Sequence, residues 1–267
     1  MTVRPRLAVA ALALSLATPF AGAHEAWLLP SSTVLSAPGY VTLDGAVSNQ
    51  TFHFNYRPMM IRDNLAITAP DGTAVQPEGL TQGKLRTVFD ANLAVAGTYR
   101  VALTNASVMA SWKEGSETKR WRGTHEALAA NVPADAAELS VREGVGRIAS
   151  FIPVGSPTAV APTGRGLEMV SVTHPNDLYV GEAATFGFVI DGKPVADVKV
   201  ELMAGGMRYR DQLDKITLVT DAKGQVTHTW AEPGMYYLKA MVDDRGGRIA
   251  NAERRLSYVA TLEVLPQ

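Results

Sequence analysis

The chain reads Ala96-Gly97-Thr98-Tyr99-Arg100-Val101 at one point and Pro233-Gly234-Met235-Tyr236-Tyr237-Leu238 at another. Both stretches place a glycine two residues before a tyrosine at the start of an apolar strand. A turn signal precedes each of them, Pro70-Asp71-Gly72 in the first case and Asp221-Ala222-Lys223-Gly224 in the second. Such a tyrosine is typical of immunoglobulin-like sandwiches, where its hydroxyl ties the strand to the preceding loop. The sequence therefore predicts two units of one kind.

The segments ahead of these stretches repeat as well. Tyr40-Val41-Thr42-Leu43 alternates in polarity, and the stretch from Ala184 to Val189 does the same, as half-buried strands do. Between the units, residues 151–166 contain three prolines and three glycines, which is linker composition. We predict an all-β fold with two tandem immunoglobulin-like β-sandwiches, over residues 24–150 and 167–267. Only the segment from Ala134 to Glu143 has helical character.

The first 23 residues have the pattern of a cleaved signal peptide. Arg4 and Arg6 precede an apolar stretch at residues 7–16, and Ala21-Gly22-Ala23 is a small-residue cleavage site. The apolar stretch is too short to span a bilayer core of about 30 Å, and no later segment has the roughly 18 apolar residues that a membrane helix needs. We expect a periplasmic protein without a membrane span once the signal is removed.

Composition excludes several classes of function. The chain has no cysteine, so disulfides, thiolate metal sites and cysteine nucleophiles are absent. It has 25 basic and 26 acidic residues; without Arg4 and Arg6 the difference is 23 minus 26, a net charge of −3. No basic run is long enough to hold a nucleic-acid backbone. We therefore expect no nucleic-acid partner.

Cleavage after Ala23 makes His24 the first residue of the mature chain. Its free α-amine and its ring Nδ1 then chelate one ion together, and such nitrogen donors suit copper, nickel or zinc. A copper "histidine brace" needs one more imidazole, from His53 or from His125, and the sequence does not choose between them. Met59 is a candidate thioether ligand for cuprous copper, although such methionines are more often core filler.

The histidines differ in their sequence surroundings. Alternation in the segment 51–56 predicts a strand with His53 on its polar face and the three aromatic residues Phe52, Phe54 and Tyr56 on the other. His174 precedes a proline in a turn, where hydrogen bonding is the expected role. His228 shares a strand face with Val226 and Trp230, and this pattern predicts a partly buried packing residue.

Some forty residues separate Thr104 from the predicted linker, and they include Trp112, Trp121 and His125. Long excursions within compact domains are usually functional or disordered, and the two tryptophans argue for order. We predict a long loop that folds over the first unit as a lid on a ligand. The alternative is a surface loop whose tryptophans pack down for stability alone.

A second polar cluster occupies residues 205–214. Arg208, Tyr209 and Arg210 form a candidate site for a carboxylate or phosphate, because a guanidinium matches two oxygens. Asp211 and Asp214 are candidate ligands for a hard cation such as iron, or they pair with the arginines. No serine-hydrolase elbow, P-loop or dinucleotide fingerprint stands on a suitable framework, so we assign no catalytic residue.

Several motifs in order resemble one family. They are His24-Glu25-Ala26-Trp27-Leu28-Leu29-Pro30, Gly166-Leu167-Glu168-Met169-Val170, His174-Pro175-Asn176-Asp177, Asp191-Gly192-Lys193-Pro194 and the segments 221–224 and 230–237. Together they are similar to the NikM-like periplasmic family, whose members are domain-of-unknown-function proteins labelled as periplasmic components of cobalt or nickel uptake systems. The resemblance implies an exported β protein tied to transition-metal handling. It also implies a histidine soon after the signal, matched by His24, and a second one near a glycine and a phenylalanine. His53 is the nearest match, without the glycine.

Three functions remain open from the sequence. The first is a non-catalytic periplasmic protein that binds nickel, cobalt or copper through His24, with His53 or His125, and delivers it to a membrane metal-uptake component. The second is a structural or interaction protein that needs only the sandwich fold and no metal. The third is a copper oxidase with a histidine brace, although the chain has no evident flat array of exposed aromatic residues for a polysaccharide.

Overall fold

The computed structural model describes residues 24–210 and 214–267. The predicted signal peptide, residues 1–23, and Asp211 lie outside the described residues. The described chain is almost entirely β, with eighteen strands, one short helix α1 (Leu128–Asn131) and a 3₁₀ turn (Met207–Tyr209). The predicted all-β class is confirmed.

The strands form three sheets. A first outer sheet contains β1 (Glu25–Pro30), β2 (Gly39–Ser48), β3 (Arg57–Pro58), β6 (Glu78–Gln82) and β7 (Thr87–Leu93). A central sheet contains β4 (Leu65–Thr68), β5 (Ala74–Val75), β8 (Gly97–Glu114), β9 (Glu117–Gly123), β10 (Ala137–Val154), β14 (Lys199–Ala204), β15 (Ile216–Val219), β17 (Gly234–Asp244) and β18 (Glu253–Val264). A second outer sheet contains β11 (Leu167–Ser171), β12 (Ala183–Ile190), β13 (Lys193–Pro194) and β16 (Gln225–Thr229).

The central sheet belongs to both predicted units. Its strand order is β15-β14-β17-β18-β10-β8-β4-β5, with β9 added beside β8. Strand β10 pairs antiparallel with β8 on one side and parallel with β18 on the other. The last strand of the N-terminal unit is thereby hydrogen-bonded to the last strand of the chain.

Each face of the central sheet supports one hydrophobic core. In β10, Ile148 and Ile152 face a first core under the first outer sheet, while Ala149 and Phe151 face a second core under the second outer sheet. Strands covered on both faces need apolar residues at nearly every position, and β10 is buried throughout its last eight residues. The two sandwiches therefore share one sheet in three layers.

The corner tyrosines predicted from the glycine pattern are confirmed in both units. Tyr99 Oη accepts a hydrogen bond from the Val95 amide at 2.8 Å. Tyr236 Oη donates to the Glu232 carbonyl at 2.9 Å. Each hydroxyl reaches back four residues and holds the loop that precedes its strand.

Two local predictions are corrected. The predicted linker begins at Phe151, but β10 runs to Val154 and buries those residues between two cores. The segment from Ala134 to Glu143 is not helical, because from Ala137 onward it belongs to β10 and pairs with β8. Ladder pairing and burial override the local helical preference here.

The prediction of a long tryptophan-containing loop is also wrong. Its first part is a regular hairpin in which β9 pairs with the outer half of β8, opposing Ala110 to Trp121 and Trp112 to Lys119. Helix α1 and the start of β10 make up the rest. The hairpin extends the central sheet instead of folding over the first unit, so it forms no lid there.

Candidate metal and ligand sites

The start of β1 is fixed across the central sheet. The Glu25 carboxylate accepts a hydrogen bond from Tyr237 Oη at 2.6 Å and pairs with Lys239 Nζ at 3.0 Å, both from β17. Burial and the Glu25 charge raise the pKa of Tyr237 well above its usual value, so its phenol stays protonated and keeps donating. The backbone beside His24 is therefore held firmly.

The His24 imidazole lies against the Tyr56 ring. The ring centroids are 3.8 Å apart and the planes are inclined by 17°, which is a stacked arrangement. The Arg57 guanidinium lies 5.9 Å from the centroid of the same tyrosine ring. The stack restricts the orientation of an imidazole at the end of an edge strand.

His53 lies at the same end of the first outer sheet, although the strand predicted over residues 51–56 is wrong. This segment is a turn and loop, with Phe52 at φ 59°, and the Phe52 and Phe54 rings meet Trp27 edge-on at 5.5 and 4.9 Å. The left-handed backbone at Phe52 interrupts an extended strand at this point.

The ladder places the two histidines near each other. Glu25 is the register partner of Ser48, whose hydroxyl donates to the His53 carbonyl. One residue step, one strand spacing and one hydrogen bond keep the Cα atoms of His24 and His53 within roughly 16 Å of each other. Two imidazoles that each make a metal bond of about 2 Å bridge Cα atoms up to roughly 13 Å apart, which lies inside this bound.

His125 lies in another part of the molecule. It lies two residues after Gly123, the last residue of β9. Gly123 is opposite Val108 of β8, and Val108 is in turn opposite Glu143 of β10. The β1 contact of β10 is at Ser150, which donates to the Leu28 carbonyl at 3.0 Å. Seven residues along β10 correspond to about 23 Å, so the structure does not bring His125 to His24.

The remaining two histidines have the predicted roles. His174 Nε2 lies 3.0 Å from Thr98 Oγ1, and its Nδ1 accepts from the Asn176 amide at 3.2 Å. His228 packs edge-on against Trp230 with ring centroids 4.9 Å apart. Burial lowers the pKa of both imidazoles.

Met59 is 97% buried in the first core and is packing material there. Within residues 24–210 and 214–267, no three histidine or acidic side chains are grouped as a metal site. A chelate at His24 therefore depends on the α-amine that cleavage would free, which is a donor outside that side-chain set.

The polar cluster of residues 205–210 contacts the loop that contains His53. Met207 Sδ accepts from Thr51 Oγ1 at 2.9 Å, and a Cβ on Gly205 would lie 3.2 Å from the Phe52 ring. The tyrosine of the cluster, Tyr209, is 88% exposed. We call His24, Tyr56, the loop 49–56 and residues 205–210 the amino-terminal site.

The charges of this cluster are partly compensated by carboxylates outside it. Arg210 pairs with Glu232 at 2.9 Å and with Asp214 at 3.9 Å. The pairing of Asp214 with an arginine agrees with the non-metal interpretation of this residue. Arg208 takes part in no ion pair among the described residues.

The tryptophans of the β8–β9 hairpin lie away from the amino-terminal site. The Trp121 indole covers Gly123, where a Cβ would approach the ring to 2.3 Å. Trp121 also borders a surface hollow with Arg120, Arg122 and Arg142. Trp112 lies half-buried further out on the same hairpin. The two tryptophans do not converge with Arg208, Tyr209 and Arg210.

A trough lies on the central sheet, and no sequence pattern predicts it. It is floored by the face of β10 that carries Leu139, Val141, Glu143, Val145 and Arg147, beyond the end of the second outer sheet. One end is a mostly apolar pocket of about 540 Å³, and the other is a polar groove of about 1070 Å³. We call this surface the trough, and His125 borders both of its ends.

The tyrosine and methionine of the amino-terminal site were also missed as site residues. Alternation predicts Tyr56 on a strand face with Phe52 and Phe54, whereas its ring stacks on His24. Met207 carried no signal, because its contact with Thr51 joins positions 156 residues apart.

A family model described as "Domain of unknown function (DUF4198)" matches residues 21–244. The chain therefore belongs to this family. No curated protein matches it. Among the described residues, no helix has the length and apolar character needed to cross a membrane.

Solved structures resemble the chain weakly. The D0-D1 domain of intimin is 12% identical with a TM-score of 0.22, over 88% of this chain and 96% of that one. The adhesin InvE of Yersinia pseudotuberculosis is 13% identical with a TM-score of 0.23, over 90% of this chain and 60% of that one. Three N-terminal domains of the Hoc capsid protein of bacteriophage RB49 are 10% identical with a TM-score of 0.22, over 92% of this chain and 99% of that one.

Proposed function

We propose that the mature protein is a non-catalytic periplasmic protein that binds a nickel, cobalt or copper ion at the amino-terminal site. In this proposal the α-amine and imidazole of His24 chelate the ion and His53 supplies a further nitrogen. A membrane metal-uptake component receives the ion. The similarity to the NikM-like family motivates the choice of metals and of the receiving partner.

The observation that carries the proposal is the anchored and oriented His24. Glu25 is bound to Tyr237 and Lys239, and the imidazole is stacked on Tyr56. Fixing the residue before binding reduces the ordering cost that a free chain end would otherwise incur. The proximity of the loop with His53 supports a second imidazole in the same coordination sphere.

The nature of the donors supports a borderline metal over a hard one. Amine and imidazole nitrogens suit copper, nickel and cobalt, whereas carboxylate sites suit magnesium and calcium. The acidic residue nearest to His24 in sequence, Glu25, is already engaged by a lysine and a tyrosine. A nitrogen-rich site is therefore the better description.

Isothermal titration of protein processed after Ala23, with the new terminus verified by mass spectrometry, tests the proposal. One of the three ions, nickel, cobalt or cupric copper, should bind with a stoichiometry of one. An extra alanine ahead of His24 keeps the imidazole but moves the amine away, and we expect at least tenfold weaker binding. His53→Ala should weaken binding by a similar factor, because it removes one nitrogen ligand.

His125→Ala is the matched control, since His125 lies more than about 20 Å from His24. The affinity of the His125→Ala variant for the metal ion should stay within twofold of that of the wild type. Undiminished binding by the alanine-extended protein would contradict the chelate, and absence of stoichiometric binding would favour an interaction protein without metal. Reductant-dependent peroxide production by the copper-loaded protein would instead support the oxidase.

A further inference from the structure

The trough exists because three central strands extend past the second outer sheet. Its floor continues the face of β10 that contributes Ala149 and Phe151 to the second core. From Arg147 back to Leu139, no strand among the described residues covers this face. Loops 163–166 and 246–252 with helix α1 form the walls. A large concave surface with an apolar end and converging polar groups is the usual form of a small-molecule site.

The apolar end has the size of a small ligand. Its lining is dominated by aliphatic side chains: Leu128, Val132, Leu139, Val141, Ile249 and Ala252. Its volume of about 540 Å³ lies within the usual range of ligand pockets, roughly 300–1,000 Å³.

A buried carboxylate lies where the two ends of the trough meet. Glu143 is 6% exposed, and its Oε1 accepts one hydrogen bond, from the Ile249 amide at 2.6 Å. Ile249 itself lines the apolar pocket, and Val141 is the next residue on the same strand face. A group bound to Glu143 is therefore adjacent to the apolar space.

Most of the other charges around the groove have counterions, with Arg165 as the exception among the described residues. Arg147 pairs with Glu168, Arg254 with Asp244 and Asp191, and Arg248 with Glu126. No ion pair among the described residues includes Glu143. A buried carboxylate with a single amide partner is costly to desolvate, and a cation supplied by a ligand would offset that cost.

We infer that the trough binds a small amphipathic cation, with a protonated amine at Glu143 and its apolar body in the pocket. The two halves of such a molecule match the two chemistries that the trough places side by side. The site is separate from the amino-terminal site and does not depend on the metal proposal.

Titration calorimetry with three probes of equal chain length tests this inference: n-octylamine, n-octanol and sodium n-octanoate, each below its aggregation concentration. We expect octylamine to bind at least tenfold more tightly than octanol, and octanoate to bind more weakly than octanol. Glu143→Gln keeps an acceptor for the Ile249 amide and removes the charge. It should abolish the preference for the amine and leave octanol binding within threefold.

Val141→Trp fills the apolar pocket and should eliminate binding of all three probes. The variant should fold, because aromatic residues are well accepted in strands. Val219→Trp, at an exposed position of β15, is the matched control and should change nothing. Ala129→Trp, on helix α1, is a second pocket-filling variant if Val141→Trp fails to fold. His24→Ala should leave octylamine binding unchanged.

Octanoate binding as tightly as octylamine would overturn the inference. So would an amine preference that persists in Glu143→Gln, or wild-type protein that binds none of the probes.

Discussion

The two halves of strand β10 have opposite surroundings. From Ile148 to Val154 every residue is buried, because each face of the sheet lies under an outer sheet. From Ala137 to Arg147 the burial is incomplete, and the face toward the second outer sheet is open. One continuous strand thus serves as a core element at one end and as the floor of a trough at the other.

The side chains explain the difference. The covered half presents Ile148, Phe151 and Ile152 to the two cores, whereas the open half places Glu143 and Arg147 on the face that continues the second core. Both charged side chains are nearly buried, and each has a polar partner, because Arg147 pairs with Glu168 and Glu143 accepts from the Ile249 amide. Coverage, and not strand pairing, therefore distinguishes the structural half from the candidate binding half.

The largest expected difference between the halves is in packing energy. Phe151→Ala should lower the free energy of unfolding by about 3–5 kcal/mol, since it leaves a cavity in the second core. Val141→Ala, at a half-buried position of the open half, should cost about 1 kcal/mol or less. Urea titrations of both variants measure the contrast. Equal losses at the two positions would show that the open half is covered in solution.

The boundary between the halves is a buried ion pair. Glu168 binds Arg147 and also accepts from the amides of Thr163, at 2.9 Å, and Gly164, at 2.8 Å. Glu168→Gln leaves the buried guanidinium without its anion, and we expect a loss of about 3 kcal/mol in unfolding free energy.

Glu253→Gln is the matched control for the buried pair. Glu253 pairs with Arg142, and both side chains are 41% exposed. Exposed pairs contribute about 0–1 kcal/mol, so this change should be nearly silent. A similar small effect for Glu168→Gln would mean that the boundary is hydrated and that the covered half ends before Arg147.

The corner tyrosines flank the covered half and should have smaller effects. Tyr99→Phe frees the Val95 amide and Tyr236→Phe frees the Glu232 carbonyl, and each should cost about 1 kcal/mol of unfolding free energy. Tyr209→Phe, at an 88% exposed ring, is the control with no expected effect. Thermal unfolding of the three variants checks this, and a silent Tyr99→Phe would contradict a role for its hydroxyl in closing the first unit.

The sequence predicted what local patterns encode. Alternating strands and the Gly-x-Tyr corners led to two sandwiches, and the hydroxyl contacts of Tyr99 and Tyr236 confirm the corner reasoning. The packing of His228 on Trp230 followed from period-two alternation in the same way. Such features depend on residues close together in the chain.

Features that depend on distant pairing were not predictable. The antiparallel ladder with β8 pairs Phe151 with Arg100 and turns the expected linker start into buried strand. The parallel ladder of β10 with β18 joins positions more than a hundred residues apart. The same ladder extends the sheet and creates the trough. The amino-terminal site was half predicted, because His24 and His53 were named from the sequence whereas Tyr56 and Met207 join them only in the fold.

The smallest expected effect is a pH dependence at the covered end, where His174 joins Thr98 of β8 to the second unit. Burial lowers the pKa of His174 below its usual 6.5. Between the folded and unfolded pKa values the unfolded chain binds more protons, so the free energy of unfolding falls as the pH drops below about 6.5 and levels off below the folded pKa. Protonation at Nδ1 also breaks the bond accepted from the Asn176 amide.

His174→Asn should therefore flatten the slope of stability between pH 8 and pH 5 without removing it, because the pKa of His228 is lowered in the folded chain as well. Urea midpoints at several pH values measure the slope. A slope in His174→Asn identical to the wild type would show that this imidazole is as well hydrated in the folded chain as in the unfolded one.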